Sequence, residues 1–253
     1  SRDVVSRRMT EHIRKGKGVP SPDGEHLWLD LRHLGEEHLR TKLREVYDIC
    51  MYFLGVNPIK EFVPVRPTQH YSMGGIRVNK DGHAYSLKGL WSMGESACWD
   101  MHGMNRLGGN SLAETVVAGM FCGQRMGQWA KQQSLELDTQ MATQAVTIQQ
   151  DRINDLLGHG TGEANENVNE LTDIMQITLH DKVGIFRTGE ELEEALDTLK
   201  GLYARSQNLK LQSSFKGANP ELALALRLPG MIKLALCVTK GAMLRTESRG
   251  GHS

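Results

Sequence analysis

A chain of 253 residues is long enough to bury a core and could form one large domain or two ordinary ones. Its 30 Lys and Arg residues are balanced by 30 Asp and Glu residues, so net charge gives no support for a nucleic-acid partner or for another general polyanion. The cysteines, Cys50, Cys98, Cys122 and Cys237, lie far apart and form no C-x-x-C pair. Their spacing therefore predicts neither a zinc site nor a local iron–sulfur site, and we expect no metal ligands.

No apolar run approaches the roughly 18 residues that a membrane span requires, and no signal peptide is recognisable. We therefore expect a chain that is soluble or that reaches a membrane only through partners. The chain begins without Met, in S-R-D-V-V-S-R-R, and stops in E-S-R-G-G-H-S. We expect it to be a piece of a longer polypeptide.

The first 63 residues predict a small mixed α/β unit. Apolar residues recur along one side of residues 1–15, which predicts a helix, and the glycine and proline cluster from Gly16 to Gly24 ends it. Apolar positions at period two over residues 26–31 predict a half-buried strand. Helical spacing from Gly35 to Leu54 predicts one further helix.

Extended runs over residues 69–78 and 84–93 predict two strands, and Asn79-Lys80-Asp81-Gly82 predicts the turn between them. The first run contains Gly74-Gly75. Adjacent glycines in a strand indicate that another backbone or a flat ligand approaches closely, and a β-bulge is the alternative. This stretch is the start of the region in which we expect the chemistry.

The sequence Ser111-Leu112-Ala113-Glu114 matches a capping box, in which a hydroxyl and a carboxylate satisfy reciprocal backbone donors. It predicts a helix that runs to about Lys131. A helix start exposes unpaired N–H groups and the positive end of a dipole, so it suits anionic ligands. Arg106 lies in the glycine-rich turn that opens this helix.

Beyond Gln132 the sequence becomes helical and charged. We predict helices over residues 140–157 and 163–183, and a linker at 158–162. The glycines of that linker follow a helix rather than a strand and lack the Lys of a Walker motif, which argues against a phosphate loop.

Two further helix starts are marked by caps in the sequence. Thr188-Gly189-Glu190-Glu191 matches a second capping box, and Asn219-Pro220 opens a last helix that Pro229-Gly230 is expected to kink or split. Residues 138–253 therefore predict an antiparallel helical bundle.

The motifs R-P-T-Q-H-Y-S-M-G-G-I, G-E-S-A, H-G-M-N-R-L-G-G-N-S-L-A-E, V-G-I-F-R-T and E-S-R-G-G-H together resemble the flavoprotein subunit of fumarate reductase and succinate dehydrogenase. The likeness covers essentially the whole chain but only the second part of that subunit. The family's dinucleotide-binding G-x-G-x-x-G and the histidine that attaches FAD covalently are not in this sequence.

The resemblance implies an α+β fold, made of a fragment of an FAD-binding α/β domain and its capping domain followed by the helical bundle. Residues 1–63 would be the end of the capping domain, which closes over substrate. Residues 64–131 would be the C-terminal part of the FAD-binding domain, and residues 132–253 the helical domain.

The resemblance also assigns roles in substrate chemistry. Arg2 matches the arginine that protonates the substrate, while His70 and Arg106 match ligands of its two carboxylates. Fumarate is a planar dianion, and a guanidinium fork suits a carboxylate, so these residue types fit the substrate. Arginine seldom gives up a proton, so a relay must restore it, and Arg7 and Arg8 are the candidates.

Contacts with FAD are assigned to Tyr71, Glu95, Ser111 and Leu112, and again to His70 and Arg106. Glu95 would bind the ribose hydroxyls, and Ser111-Leu112 would direct backbone N–H groups at the flavin ring. Outside this set, Arg187 recurs in the family near the flavin or a domain seam, and we expect structural salt bridges for it.

The function implied by the resemblance is FAD-dependent interconversion of fumarate and succinate by hydride transfer. Electrons would pass through an iron–sulfur subunit and a membrane-anchor, quinone-reactive subunit. The protein would lie in the cytoplasm, peripheral on the inner face of the cell membrane. The alternatives are an enzyme like L-aspartate oxidase, which works alone, and a non-catalytic remnant that serves as an interaction module.

Overall fold

A computed structural model describes residues 2–22, 24–134, 136, 138–158 and 165–252. The chain divides into two compact units, Ser1–Ser72 and Met73–Ser253. Most of the linker predicted at 158–162 lies outside the described residues, beginning at His159. The three-part division with boundaries at residues 63 and 131 stays a prediction.

The first unit begins with helix α1 (Arg2–His12), which runs into a π-helical turn at Ile13–Lys17. Gly16 in that turn has a φ of 69°, a conformation that glycine adopts without steric cost, so the predicted helix ends where expected. Strand β1 (Leu27–Leu29) then pairs antiparallel with β2 (Val63–Val65), which confirms the strand predicted around residue 28.

The single helix predicted over residues 35–54 is wrong, because the structure has α2 (Glu36–Thr41) and α3 (Arg44–Ile49) there, with a π-helical turn after α3. Leu43 separates the two helices with φ −121° and ψ 33°, which lies outside the α region and breaks the ladder of backbone hydrogen bonds. The spacing of apolar residues alone predicts a continuous helix here, because these residues recur at helical spacing in both α2 and α3.

In the second unit, β3 (Ile76–Arg77) pairs with β4 (Ala97–Cys98) in parallel. The strand predicted over residues 69–78 is therefore too long, and residues 84–93, all of which the structure describes, form no strand but only isolated bridges. Positive φ angles at Gly74, Gly75 and Gly89 take the backbone out of the strand region and interrupt both runs. The predicted turn is confirmed, since the Gly82 N–H donates to the Asn79 carbonyl at 3.0 Å.

Gly75 is the position at which another backbone comes close, as the paired glycines predict. Its φ is +127°, and a Cβ placed there would lie 2.3 Å from the carbonyl oxygen of Ser96. Gly74 also has a positive φ, but nothing lies within 4 Å of the corresponding position.

We expect Gly75→Ala to lower the free energy of unfolding by more than about 1 kcal/mol, because alanine is strained at this φ and its methyl meets backbone rather than a movable side chain. Gly201→Ala is the matched control. Gly201 is exposed, and a Cβ there has nothing within 4 Å, so alanine should stabilise by up to about 1 kcal/mol. Urea unfolding of both variants measures the difference, and equal effects would contradict the close approach at Gly75.

Helix α4 (Asn110–Ala130) follows, and its start differs from the prediction. The N-cap residue is Gly109, with φ 81°, and no side chain caps the helix. Ser111 lies inside the first turn, so the capping box predicted at Ser111 and Glu114 is wrong.

The described residues beyond α4 form helices α5 (Thr139–Leu157), α6 (Val168–Lys182), α7 (Gly189–Arg205) and α8 (Pro220–Met243). They pack into the predicted bundle, which has a larger and a smaller cluster of buried apolar residues. The larger cluster draws on α6, α7 and α8. The buried residues that the helices contribute to it are Val168, Leu171 and Met175 from α6, Leu199 and Leu202 from α7, and Ala225, Leu228, Ile232 and Ala235 from α8.

Both caps predicted in the bundle are confirmed. The Glu191 N–H donates to Thr188 Oγ1 at 3.2 Å, and the Leu222 N–H donates to Asn219 Oδ1 at 3.0 Å. Pro229-Gly230 does not split the last helix, since α8 continues through it, and the kink expected as the alternative stays a prediction.

One expectation about membranes needs correction. By length and composition alone, α8 could cross a membrane, with a mean hydropathy of 1.7 in its most apolar window. The sequence of α8 contains three cations, Arg227, Lys233 and Lys240, so it has no long uninterrupted apolar stretch. Its mean hydropathy is nevertheless high. One face of α8 is buried in the bundle core, and 28% of the apolar window is buried in all.

Candidate functional site

Three side chains meet at the start of α4 in the second unit. Arg106 and Glu114 are 6% and 8% exposed, and Arg106 Nη1 lies 3.1 Å from Glu114 Oε2. His102 Nε2 donates to the same carboxylate oxygen at 2.9 Å. We call His102, Arg106 and Glu114 the buried triad.

The local sequence explains how the triad forms. Glu114 begins a buried stripe along α4 that continues at i+4 and i+8 with Ala118 and Cys122. The loop between β4 and α4 carries His102 and Arg106, and positive φ angles at its glycines, such as 81° at Gly109, allow it to turn sharply. Glu114 therefore faces the protein interior and cannot cap the helix that contains it.

The electrostatics of the triad follow from its burial. A carboxylate removed from water is costly unless it is paired and hydrogen-bonded, and Arg106 and His102 supply both kinds of partner. Both contacts involve Oε2. Glu114 Oε1 is buried and has no hydrogen-bond partner among the described residues.

The turn that contains Glu95 lies against the same end of α4. A Cβ placed on Gly94 would be 3.0 Å from Thr115 Oγ1, and that hydroxyl donates to the Ser111 carbonyl at 2.9 Å. Glu95 is exposed, and Leu112 is 73% exposed. The structure thus brings Glu95, Arg106, Ser111 and Leu112 to neighbouring elements of the second unit.

The remaining candidates lie in the first unit. Arg2 is the first residue of α1 and is exposed. His70 is exposed and Tyr71 is half-buried, in the irregular segment that follows β2. The roles of these residues stay predictions.

The two candidates for a proton relay are both ion-paired within α1. Arg7 Nη2 donates to Asp3 Oδ2 at 2.7 Å, and Arg8 Nη1 donates to Glu11 Oε2 at 2.8 Å. Asp3 and Arg7 are half-buried, whereas Arg8 is more exposed. Their part in proton transfer also stays a prediction.

Arg187 belongs to a separate polar cluster at the start of α7, beside a cavity of about 350 Å³. Its guanidinium donates to the carbonyls of Val183 and Gly184 and contacts His252 Nδ1 at 2.9 Å. Burial lowers the pKa of Arg187, and the nearby charge of Arg245 lowers it further. No carboxylate of the described residues forms a salt bridge with Arg187, and the structural salt bridges expected for it stay a prediction.

Two members of the triad, His102 and Glu114, were not predicted as site residues. The S-x-x-E pattern led us to interpret Glu114 as part of a helix cap. Its position on a buried face of α4 was therefore not predicted. The spacing of Glu114, Ala118 and Cys122 is the available signal, because small residues at i+4 and i+8 indicate a face in close contact with other elements.

Comparisons with known proteins identify the family of this chain and agree with its fold. The family model of the FAD binding domain matches residues 1–112, and that of the fumarate reductase flavoprotein C-terminal region matches residues 172–253. The chain thus carries part of an FAD binding domain, which confirms FAD as the predicted cofactor.

The chain is similar to the fumarate reductase flavoprotein subunit of Helicobacter pylori, with 45% identity over 100% of this chain and 39% of that protein. The corresponding subunit of Escherichia coli is 36% identical over 99% of this chain and 41% of its own length. A solved structure of E. coli quinol fumarate reductase matches with a TM-score of 0.87 and 35% identity, over 99% of this chain and 42% of the other.

The chain therefore belongs to the fumarate reductase and succinate dehydrogenase flavoprotein family, as predicted. It spans about two fifths of the length of the relatives named above, from 39% to 42%. The agreement with the solved structure confirms the predicted fold class.

Proposed function

We propose that this chain contributes to the FAD-dependent interconversion of fumarate and succinate. The observation that carries the proposal is the buried Arg106 beside the start of α4, in a chain of this family. A cation and a helix N-terminus in one place favour an anionic ligand. A dicarboxylate beside a flavin fits that requirement.

The residues at the start of α4 fit FAD. No side chain caps this helix, so its first N–H groups at Ser111 and Leu112 suit the carbonyl oxygens of a flavin ring. Glu95 is exposed and suits ribose hydroxyls, and Tyr71 and His70 would complete the contacts. When bound, FAD supplies a ring that exchanges a hydride with the substrate.

The protein's own residues then bind the substrate and move a proton. Arg106 and His70 would hold the two carboxylates and polarise the double bond between them. The Arg2 guanidinium would donate a proton to the substrate carbon that does not receive the hydride. One hydride and one proton convert fumarate to succinate, and the reverse transfers convert succinate to fumarate. Arg7 and Arg8 would restore the Arg2 proton.

The proposed partners are an iron–sulfur subunit and a membrane-anchor subunit that reacts with quinone. Relatives in solved structures support them, since one is a quinol-fumarate reductase with menaquinol and another a Mycobacterium smegmatis Sdh1 complex. The flavoprotein would lie on the cytoplasmic face of the cell membrane, attached through those subunits.

Substrate assays of the FAD-loaded holoenzyme test the proposal. We expect fumarate reduction with a reduced dye as donor and succinate oxidation with an artificial acceptor. L-aspartate is the comparison substrate. Turnover of L-aspartate with none of succinate would contradict the proposal and favour an enzyme like L-aspartate oxidase.

We expect His70→Ala to raise the KM for fumarate about tenfold to hundredfold, because a hydrogen bond to a charged group is worth about 1.5–3 kcal/mol. His33→Ala is the control, since His33 is exposed in the same unit and has no assigned role. Steady-state kinetics measure both variants. An unchanged KM for His70→Ala would remove His70 from the substrate site.

A further inference from the structure

We propose that Glu114 is a positioning residue, which is held by His102 and fixes the Arg106 guanidinium in the orientation that binds a dicarboxylate. The inference rests on the proposed function, in which Arg106 is a carboxylate ligand. It assigns to the buried triad a role in substrate affinity in addition to its role in the fold.

The positions of Arg106 and Glu114 in the fold show which of the two residues orients the other. Arg106 lies on the loop between β4 and α4, and an arginine side chain has many rotamers to restrict. Glu114 lies on α4, a helix of 21 residues, and the buried Ala118 and Cys122 continue its face. A carboxylate on a packed helix can therefore hold a guanidinium on a loop, whereas the loop cannot hold the helix.

His102 fixes the carboxylate itself. Its Nε2 lies 2.9 Å from Glu114 Oε2, the same oxygen that lies 3.1 Å from Arg106 Nη1. The hydrogen bond from His102 restricts the rotation of the carboxylate, and the ion pair with Arg106 involves the same oxygen. This second contact distinguishes the triad from a simple ion pair, in which the carboxylate could turn with the guanidinium.

Burial makes the arrangement specific. The Arg106 and Glu114 side chains are only 5% and 4% exposed, so solvent screens their attraction weakly. Glu114 Oε1, buried and without a hydrogen-bond partner among the described residues, can accept a further donor. A buried ion pair is costly to break, so the Glu114 carboxylate keeps the Arg106 guanidinium beside it.

Glu114→Gln separates charge from shape, because it keeps the size of the side chain and one acceptor oxygen. In the FAD-loaded holoenzyme we expect the KM for fumarate and for succinate to rise by roughly tenfold to hundredfold. We expect kcat to change much less, since a carboxylate ligand that acts in ground and transition states alike affects KM. Glu114→Asp keeps the charge and should restore part of the affinity.

Controls separate positioning from folding. Glu193→Gln is the matched control, because Glu193 is an exposed glutamate on α7 of the same unit. His102→Gln should raise KM in the same direction by a smaller factor. Titration with malonate, followed by the change in flavin absorbance, measures dicarboxylate affinity without turnover and applies to any variant that retains FAD.

The outcomes distinguish this inference from the proposed function. A wild-type holoenzyme that turns over neither fumarate nor succinate would overturn the proposed function, and this inference with it. An active wild type with an unchanged or lower KM in Glu114→Gln would overturn only the positioning role. If Glu114→Gln fails to fold, Glu114→Asp decides, and an unchanged malonate affinity and KM in that variant would overturn the proposal.

Discussion

Arg2→Lys is expected to lower the turnover of fumarate and succinate by about 10²- to 10⁴-fold while FAD stays bound. Lysine keeps the positive charge but loses the planar guanidinium, so the proton is no longer placed at the substrate carbon. The proposed FAD contacts do not include Arg2, so binding of the cofactor should persist. Dye-linked assays give kcat, and visible absorbance gives the ratio of FAD to protein.

Arg40→Lys is the control for this substitution. Arg40 is an exposed arginine of the same unit, and its Nε donates to Glu36 Oε1 at 2.7 Å, a surface pair of small energetic value. Its turnover should match that of the wild type. Near-normal turnover in Arg2→Lys as well would show that Arg2 is not the acid.

Local signals predicted the helical bundle well, because each cap depends on residues close in sequence. Thr188 accepts from Glu191 and Asn219 from Leu222, each three residues away. A cap of this kind needs no distant part of the fold. The period of buried residues then gives the face that each helix presents to the core.

The same local rule failed at Ser111 and Glu114, where tertiary contacts determine the outcome. Glu114 pairs with Arg106 and His102, and the His102 contact joins residues 12 apart through an irregular loop. The φ angles of loop glycines place those groups, and the sequence does not specify these angles. Arg106 was predictable as a cation near a helix start, whereas the spacing of residues along α4 indicates a buried face for Glu114 but not its partners.

The largest effect on stability is expected from Leu228→Ala, which should lower the free energy of unfolding by about 2–5 kcal/mol. Leu228 is 0% exposed on α8 and belongs to the core cluster that includes Leu171 and Leu199. Removing its side chain loses buried apolar surface and leaves a cavity between packed helices. Urea denaturation followed by circular dichroism measures the change.

Leu234→Ala makes the comparison decisive, because it is the same substitution on the same helix at a position that is 67% exposed. Helix propensity changes equally in both variants, so it cancels in the difference. What remains is burial, and we expect Leu234→Ala to change stability by no more than about 0.5 kcal/mol. Equal destabilisation by the two substitutions would mean that α8 does not present its Leu228 face to the bundle core.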